Sequence, residues 1–550
     1  MARDLLMPPS TKRALAIILA AGAALRLVPI WFGLPYQARP DEETSIGRAF
    51  GILNGDLNPH YFIWPSVTLY LFAAVIGIFS AVRGMFTDAH GTFATYALVT
   101  RGFVALAGTA TILVLFRLAQ RIAGDRVALL AAAFLAVAIL HVRESHFAMT
   151  DVIMTLLLWM SLALVIRVAY MEDTERGVPA GAVRWCALAG LVGGLAVSTK
   201  YSAAPVAAAM AAVQLLWLWR QPGLALSWRA WLPVAAFAAA LLAGFCLGTP
   251  YAILDYAKFS EDLRFNFEHL AAGHAPERET THLGRGWIYH AKRSLPYGVG
   301  VAAFVAALAG MVPFARHYGR AAFVLGVFGA GFYLAIGNGY TVFFRYVLPL
   351  IPLLCLFAAA GVHHVSEALA RRVNLSPVRA LTVVAAATLL PGLVYSAWLD
   401  LLLARTDTRV LASGWINARM KPHDTLHDTG NIFTRLDLGR TDIQQWRFDP
   451  ETRSFGDPGG RSPDWLVLYE SPLVTYMTMP AEIVEIARTQ YSLMHTVRGT
   501  QGRARSAVYD LHDAFFLPVS RFTTILRPGP NIRIYRRRDL PHVLPEARTP

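Results

Sequence analysis

Runs of about 20 mostly apolar residues, each long enough to cross a bilayer as a helix, recur along most of this chain. One begins at Ala14 as ALAIILAAGAALRLVPIWFGL, and others follow near 98–117, 127–146, 152–170, 185–200 and 202–219. Five more lie near 231–250, 296–314, 321–338, 342–362 and 379–399. Backbone in hydrocarbon must satisfy its own N–H and C=O groups, so segments of this length and polarity are expected as helices. A charged share of only 16% beside a hydrophobic share of 55% agrees, since soluble domains carry about a quarter charged residues. The opening run has no small-residue cleavage site before the charged loop that follows, and reads as a retained first span.

One further run, VTLYLFAAVIGIFSAV at 67–82, is ambiguous. Lys and Arg accumulate in short cytoplasmic loops. If 67–82 does not cross, the cytoplasmic loops hold Arg117, Arg121 and Arg126, then Arg220 and Arg229, Arg316 and Arg320, and Arg371, Arg372 and Arg379. If it crosses, every later loop changes side and the rule fails at each. The expectation is therefore about 11 spans, N-terminus inside, with 67–82 embedded in the outer leaflet within a first external loop, 35–97. A second external loop spans 251–295.

The net charge of +14 is spread among loops and forms no stripe, so anionic lipid headgroups, and not nucleic acid, are the expected partners. All three cysteines fall in apolar runs, which leaves no disulfide framework for a soluble part. From about 405 the composition turns polar, with β-rich stretches WLVLY and NIRIYRR. The predicted architecture is a mainly α transmembrane domain, 1–404, and a small mixed α/β extracytoplasmic domain, 405–550. No Walker A or dinucleotide glycine pattern is present, so no nucleotide cofactor is expected.

Ionisable residues beside apolar runs are functional candidates. In ARPDEETSIGRAF, Asp41 and Glu42 follow the first span; paired carboxylates suit a general base and a metal or substrate ligand, and equally a helix N-terminus. HVRESHFAMTDVIM packs Arg143, Glu144, His146 and Asp151 between two spans, where Asp151 also suits a helix cap. Lys200 and Arg345 are outer-side cations that a lipid phosphate would neutralise, with Arg143 as a third; snorkelling to the interface is the plainer reading. In 251–295, His269, His274, His282 and His290 lie near Glu268, Glu277 and Glu279, types able to hold a divalent ion but without compact ligand spacing.

The order of these pieces resembles the type C glycosyltransferases, specifically the protein O-mannosyltransferases and the lipid A aminoarabinose transferase. The matching elements are Asp41 and Glu42 after the first span, the aromatic-Pro segment FIWPSVTLYL, FAMTD ending at Asp151, GLAVSTKY with Lys200, and FEHL around His269. The resemblance implies that Asp41 is the base that activates an acceptor, that Lys200 lies near the lipid phosphate and that His269 helps bind a metal. It covers most of 14–350, but only the order of its short motifs is specific. Where the family carries a glutamate before the proline of the embedded helix, this chain has Ile63, and His60 or Glu42 would have to take its place. The implied reaction is an inverting transfer of sugar from a polyprenyl-phosphate donor to a lipid, glycan or protein acceptor, at the outer, periplasmic face of the inner membrane. Asp41, Glu42 and Asp151 would be catalytic, and Lys200, Arg345 and Arg143 would bind the donor phosphate. A transporter of lipid-linked sugars is the competing expectation, and a structural subunit of an envelope complex a third.

Overall fold

The computed structural model describes residues 7–36, 39–85, 91–171, 178–179, 181–274, 282–431, 433–455, 461–473, 476, 480–502 and 506–540. They fall into two compact units. The first comprises Met1–Ile30, Asp41–Pro276 and His282–Ala397; the second comprises Trp31–Pro40 and Trp398–Pro550 with a short piece of the 251–295 loop. The division lies a few residues before the expected 404/405, and Trp31–Pro40 goes with the tail unit.

The first unit is helical. Its elements are α1 (Pro9–Leu27), α2 (Glu42–Leu53), α3 (Val67–Gly84), α4 (Phe93–Ala136), α5 (Ile139–Glu144), α6 (Thr150–Ala169), α7 (Ala182–Val197), α8 (Val206–Arg220) and α9 (Leu232–Gly248). After them come α10 (Tyr251–Leu254), α11 (Tyr256–Ala272), α12 (Gly286–Tyr289), α13 (Leu295–Val299), α14 (Val301–His317), α15 (Gly319–Gly337), α16 (Ile351–Arg372) and α17 (Pro377–Leu403), whose last turns belong to the second unit.

Among the described residues, 8 helices are long and apolar enough to cross a membrane, or 9 if one bent pair is a single span. The difference from eleven has local causes. The expected spans at 98–117 and 127–146 are two helices that meet at a kink, where Gly124 takes φ 79 and ψ 179, a conformation open only to glycine, and they are counted together as α4. The expected span at 185–200 is α7, of only 16 residues. The expected span at 296–314 belongs to a pair bent by 109° at Gly300. Finally, α1 carries Lys12, Arg13 and Arg26. Arg26 is fully buried because it has work there: its guanidinium donates to the carbonyls of Leu135 at 2.8 Å and Ala136 at 3.0 Å, in the last turn of α4 where intrahelical donors run out. Helix α3, the ambiguous run, has 18 residues and passes the same test of length and composition.

Helices α7 and α9 touch backbone to backbone. A Cβ on Gly190 would stand 2.2 Å from the Phe237 carbonyl oxygen, and one on Gly194 would stand 2.1 Å from that of Leu241. Small residues four apart allow this approach, the usual means by which membrane helices gain contact without a hydrophobic driving force.

The second unit holds one five-stranded sheet in the order β2-β1-β3-β5-β4, formed by β1 (Thr425–Asp428), β2 (Gln444–Gln445), β3 (Trp465–Glu470), β4 (Tyr491–Val497) and β5 (Asn531–Arg537). Strand β1 pairs parallel with β2 and β3, while β5 pairs antiparallel with β3 and β4. The expected stretches WLVLY and NIRIYRR are β3 and β5, and alternate residues of β5 turn inward. Helix α18 (Thr408–Asn417) begins at a cap where Asp407 accepts the Arg409 backbone N–H at 2.8 Å. Helix α19 (Ala481–Gln490) buries Ile483 and Ala487 against Leu466, Leu468 and Tyr491.

Candidate functional site

Asp41 and Glu42 are chain neighbours with opposite surroundings. Asp41 sits immediately before α2 in the left-handed region, φ 72, and its carboxylate makes no cap hydrogen bond. Aspartate tolerates this backbone better than most residues, but the conformation is still uncommon off glycine. The carboxylate instead lies 3.6 Å from the Arg345 guanidinium, with its side chain 36% exposed. Glu42 is buried. It accepts two hydrogen bonds from Arg101, at 2.9 and 2.6 Å, and one from the Ala148 backbone N–H at 2.7 Å. The expected role for Glu42, orienting a hydroxyl or holding a metal, would compete with these contacts. Three of its roughly four acceptor sites tie α2 to α4 and to the loop before α6.

Asp151 lies in the first turn of α6, where no side chain caps the helix. One of its oxygens accepts from the Lys200 ammonium at 2.7 Å, and the other is buried with no hydrogen-bond partner among the described residues. Lys200 is held in extended backbone just after α7, and its ammonium stands 5.0 Å from the Tyr346 ring centroid. Arg345 occupies a short 3-10 turn ahead of α16, with its guanidinium 4.1 Å from the centroid of Phe343. Arg345 and Glu144 both lie within electrostatic range of the Lys200 ammonium. Residues far apart in the chain, 41, 144, 151, 200 and 345, are thereby brought into one charged neighbourhood.

Arg143 is fully buried, ion-paired with Glu144 and placed over the Phe147 ring. That pairing partly neutralises it as a phosphate-binding cation. His146 is spent on the carbonyls of Val142 and Val28.

The two histidines expected to hold a metal belong to different surroundings. His269, on α11, stacks on Phe265 with centroids 5.7 Å apart and meets His274 edge-on at 5.4 Å. Burial, and then the charge of Arg345, lowers its pKa, so the ring is neutral near pH 7. His60 is exposed and bonds Asp56 at 3.1 Å through Nε2, with Asp255 at 3.6 Å from Nδ1. Ring nitrogens on opposite sides of one imidazole cannot direct those two carboxylates onto one ion. Among the described residues, no three His, Cys, Asp or Glu side chains converge as a metal site. Glu277 and Glu279 lie outside the described residues.

Three participants were not singled out from the sequence. Tyr61 feels the charge of Asp41; burial foremost, then Asp41 and Asp262, raises its phenol and keeps it protonated. Asp262 fixes that segment by accepting the Phe62 backbone N–H at 2.7 Å. Arg101 had a readable signal, as a lone cation inside the apolar run YALVTRGFVAL.

The family model described as dolichyl-phosphate-mannose-protein mannosyltransferase matches residues 92–246, a stretch that includes Asp151 and Lys200. No sequence match was found among curated proteins. By structure, the chain is similar to ArnT from Cupriavidus metallidurans bound to undecaprenyl phosphate, with TM-score 0.53 and 15% identity over 95% of this chain and 97% of that one. It is less similar to the archaeal oligosaccharyltransferase AglB from Archaeoglobus fulgidus, solved with an inhibitory peptide and a dolichol-phosphate, at TM-score 0.48 and 13% identity. That match covers 76% of this chain and 62% of AglB, so the chain spans about three fifths of that protein's length. The S. cerevisiae protein O-mannosyltransferase complex bound to its sugar donor matches at TM-score 0.33 and 21% identity, over 50% of this chain and 37% of that one.

Proposed function

We propose that this chain, which has the fold of the type C membrane glycosyltransferases, transfers a sugar from a polyprenyl-phosphate donor to an acceptor hydroxyl at the outer face of the membrane. The observation that carries the reading is the contact of a partly exposed carboxylate, Asp41, with the guanidinium of Arg345, beside the ion pair of Lys200 and Asp151.

In this reading the donor phosphate lies between Lys200 and Arg345. Arg345 supplies a planar fork of donors, and its 3.6 Å contact with Asp41 is loose enough to be exchanged for a phosphate oxygen. Asp151 holds the ammonium in place from behind. The acceptor oxygen attacks the anomeric carbon as the bond from that carbon to the phosphate oxygen breaks. The electron pair leaves with the polyprenyl phosphate, whose growing charge the two cations stabilise. Asp41 takes the acceptor's proton. A single displacement of this kind inverts the anomeric configuration. No step is assigned to a metal ion. The ArnT structure, solved with undecaprenyl phosphate, makes an undecaprenyl-type carrier the first donor to try.

The test begins with lipids extracted from the purified protein and read by mass spectrometry. Wild type and Asp41→Asn should both retain a polyprenyl-phosphate sugar, and only wild type should consume it when acceptor is supplied. Lys200→Ala should need a higher donor concentration for the same rate. Turnover by Asp41→Asn would remove the base, and an unchanged donor response in Lys200→Ala would remove the phosphate site.

A further inference from the structure

Within the second unit, Arg405, Arg498 and Arg527 line one cavity of about 490 Å³ together with His495 and Trp415. They come from distant points of the chain: just beyond the end of α17, just beyond β4, and ahead of β5. Four other arginines of this unit are matched with carboxylates, Arg409 with Asp407, Arg440 with Asp442, Arg533 with Glu470 and Arg537 with Asp539, while Arg419 stacks on Trp415 and Arg538 donates to backbone carbonyls. None of the three cavity arginines has a carboxylate partner among the described residues, and no carboxylate lines the cavity. Arg405 and Arg527 each donate to a backbone carbonyl, Leu526 at 2.5 Å and Thr406 at 3.3 Å, which fixes their direction. A guanidinium has five N–H donors, so most of theirs are left for a ligand. In the same lining, His495 lies flat on Trp415, with centroids 4.7 Å apart and planes 4° from parallel, and Leu411, Val497 and Leu526 supply an apolar floor.

Gathering three like charges without a counter-charge raises the energy of the empty cavity and lowers that of an anion placed in it. Arg405 follows the final residue of α17, Leu403, by two positions, so the cavity is built where the chain leaves a helix long enough to cross a membrane. We propose that this cavity is an anion site separate from the Asp41 neighbourhood, which takes the phosphate of a membrane lipid headgroup or of a free sugar phosphate, with the ligand's less polar part over the floor.

The experiment uses the full-length protein in phosphatidylcholine nanodiscs and follows backbone hydrogen exchange in α18 and β4. In one arm part of the phosphatidylcholine is replaced by phosphatidylglycerol; in the other, glucose 6-phosphate is added to discs of phosphatidylcholine alone. Slowing of exchange by several fold in the first arm only assigns a lipid headgroup, and slowing in the second assigns a free phosphate. The triple variant Arg405→Gln, Arg498→Gln and Arg527→Gln should lose the effect in either case. Should that variant fold poorly, Arg498→Gln alone, at an exposed residue, should weaken it. No slowing in either arm, or equal slowing in the variants, overturns the site. Donor retention at Asp41 is measured independently and does not depend on this outcome.

Discussion

Replacing Glu42 by Gln keeps the shape of the side chain and removes its charge. The carboxylate it removes accepts two bonds from Arg101, and the side chains of the pair are only 1% and 3% exposed. Gln can still accept from the Ala148 N–H but would turn an amide NH2 toward a guanidinium. Breaking a buried ion pair by altering one partner costs about 3–5 kcal/mol, because the other charge stays buried. Glu42→Gln should therefore unfold several degrees below wild type when intrinsic fluorescence is followed on heating. Arg101→Met should suffer similarly, and the double variant should recover most of the loss, a coupling read from the double-mutant cycle. Asp41→Asn, altering a partly exposed and loosely paired group one residue away, should leave the unfolding temperature within a degree or two of wild type. Glu42→Gln with unchanged stability and abolished turnover would refute the reasoning, and would return Glu42 to the reacting groups.

The buried carboxyl of Asp428 gives the second unit a pH dependence. Burial pushes its pKa up to about 6, against the pull of the Leu436 and Gly430 N–H groups and the Tyr469 hydroxyl. A raised acid is protonated in the fold at a pH where the unfolded chain has already released the proton, so its stabilisation is complete below the ordinary carboxylate range and is lost as pH rises through about 6. The loss is on the order of 2 to 3 kcal/mol, and Asp428→Asn should flatten that part of the stability profile; an identical slope would dismiss the assignment. In the first unit, Gly194→Ala puts a methyl 2.1 Å from the Leu241 carbonyl oxygen, which α7 and α9 can relieve only by separating. A marked fall in folded yield is expected, and wild-type yield would mean the helices do not meet so closely.

Much of the fold was legible in the sequence because the signals are local. Apolar runs marked the helical segments, and β-rich stretches marked β3 and β5. The break at Gly124 falls in the charged stretch expected between 98–117 and 127–146, whereas the 109° bend at Gly300 lies inside the expected span 296–314. Asp41, Asp151, Lys200 and Arg345 could be picked out because a charge beside an apolar run is costly wherever it ends up. Their partners could not be, since Asp41 meets a residue some three hundred positions on, and Glu42 looks like its neighbour until the fold delivers Arg101 to it. The arginines of the second unit went unnoticed for the converse reason, because in a chain of net charge +14 three more cations in polar stretches carry no local signal.

Lys200 is mounted just past the end of α7, the helix locked against α9 with no side chains between their closest turns. Such a seam resists sliding, because any Cβ-sized shift there meets backbone. For the proposed reaction, this seam is the stiff backing behind the Lys200 end of the site, while Arg345 is carried by a separate short turn ahead of α16.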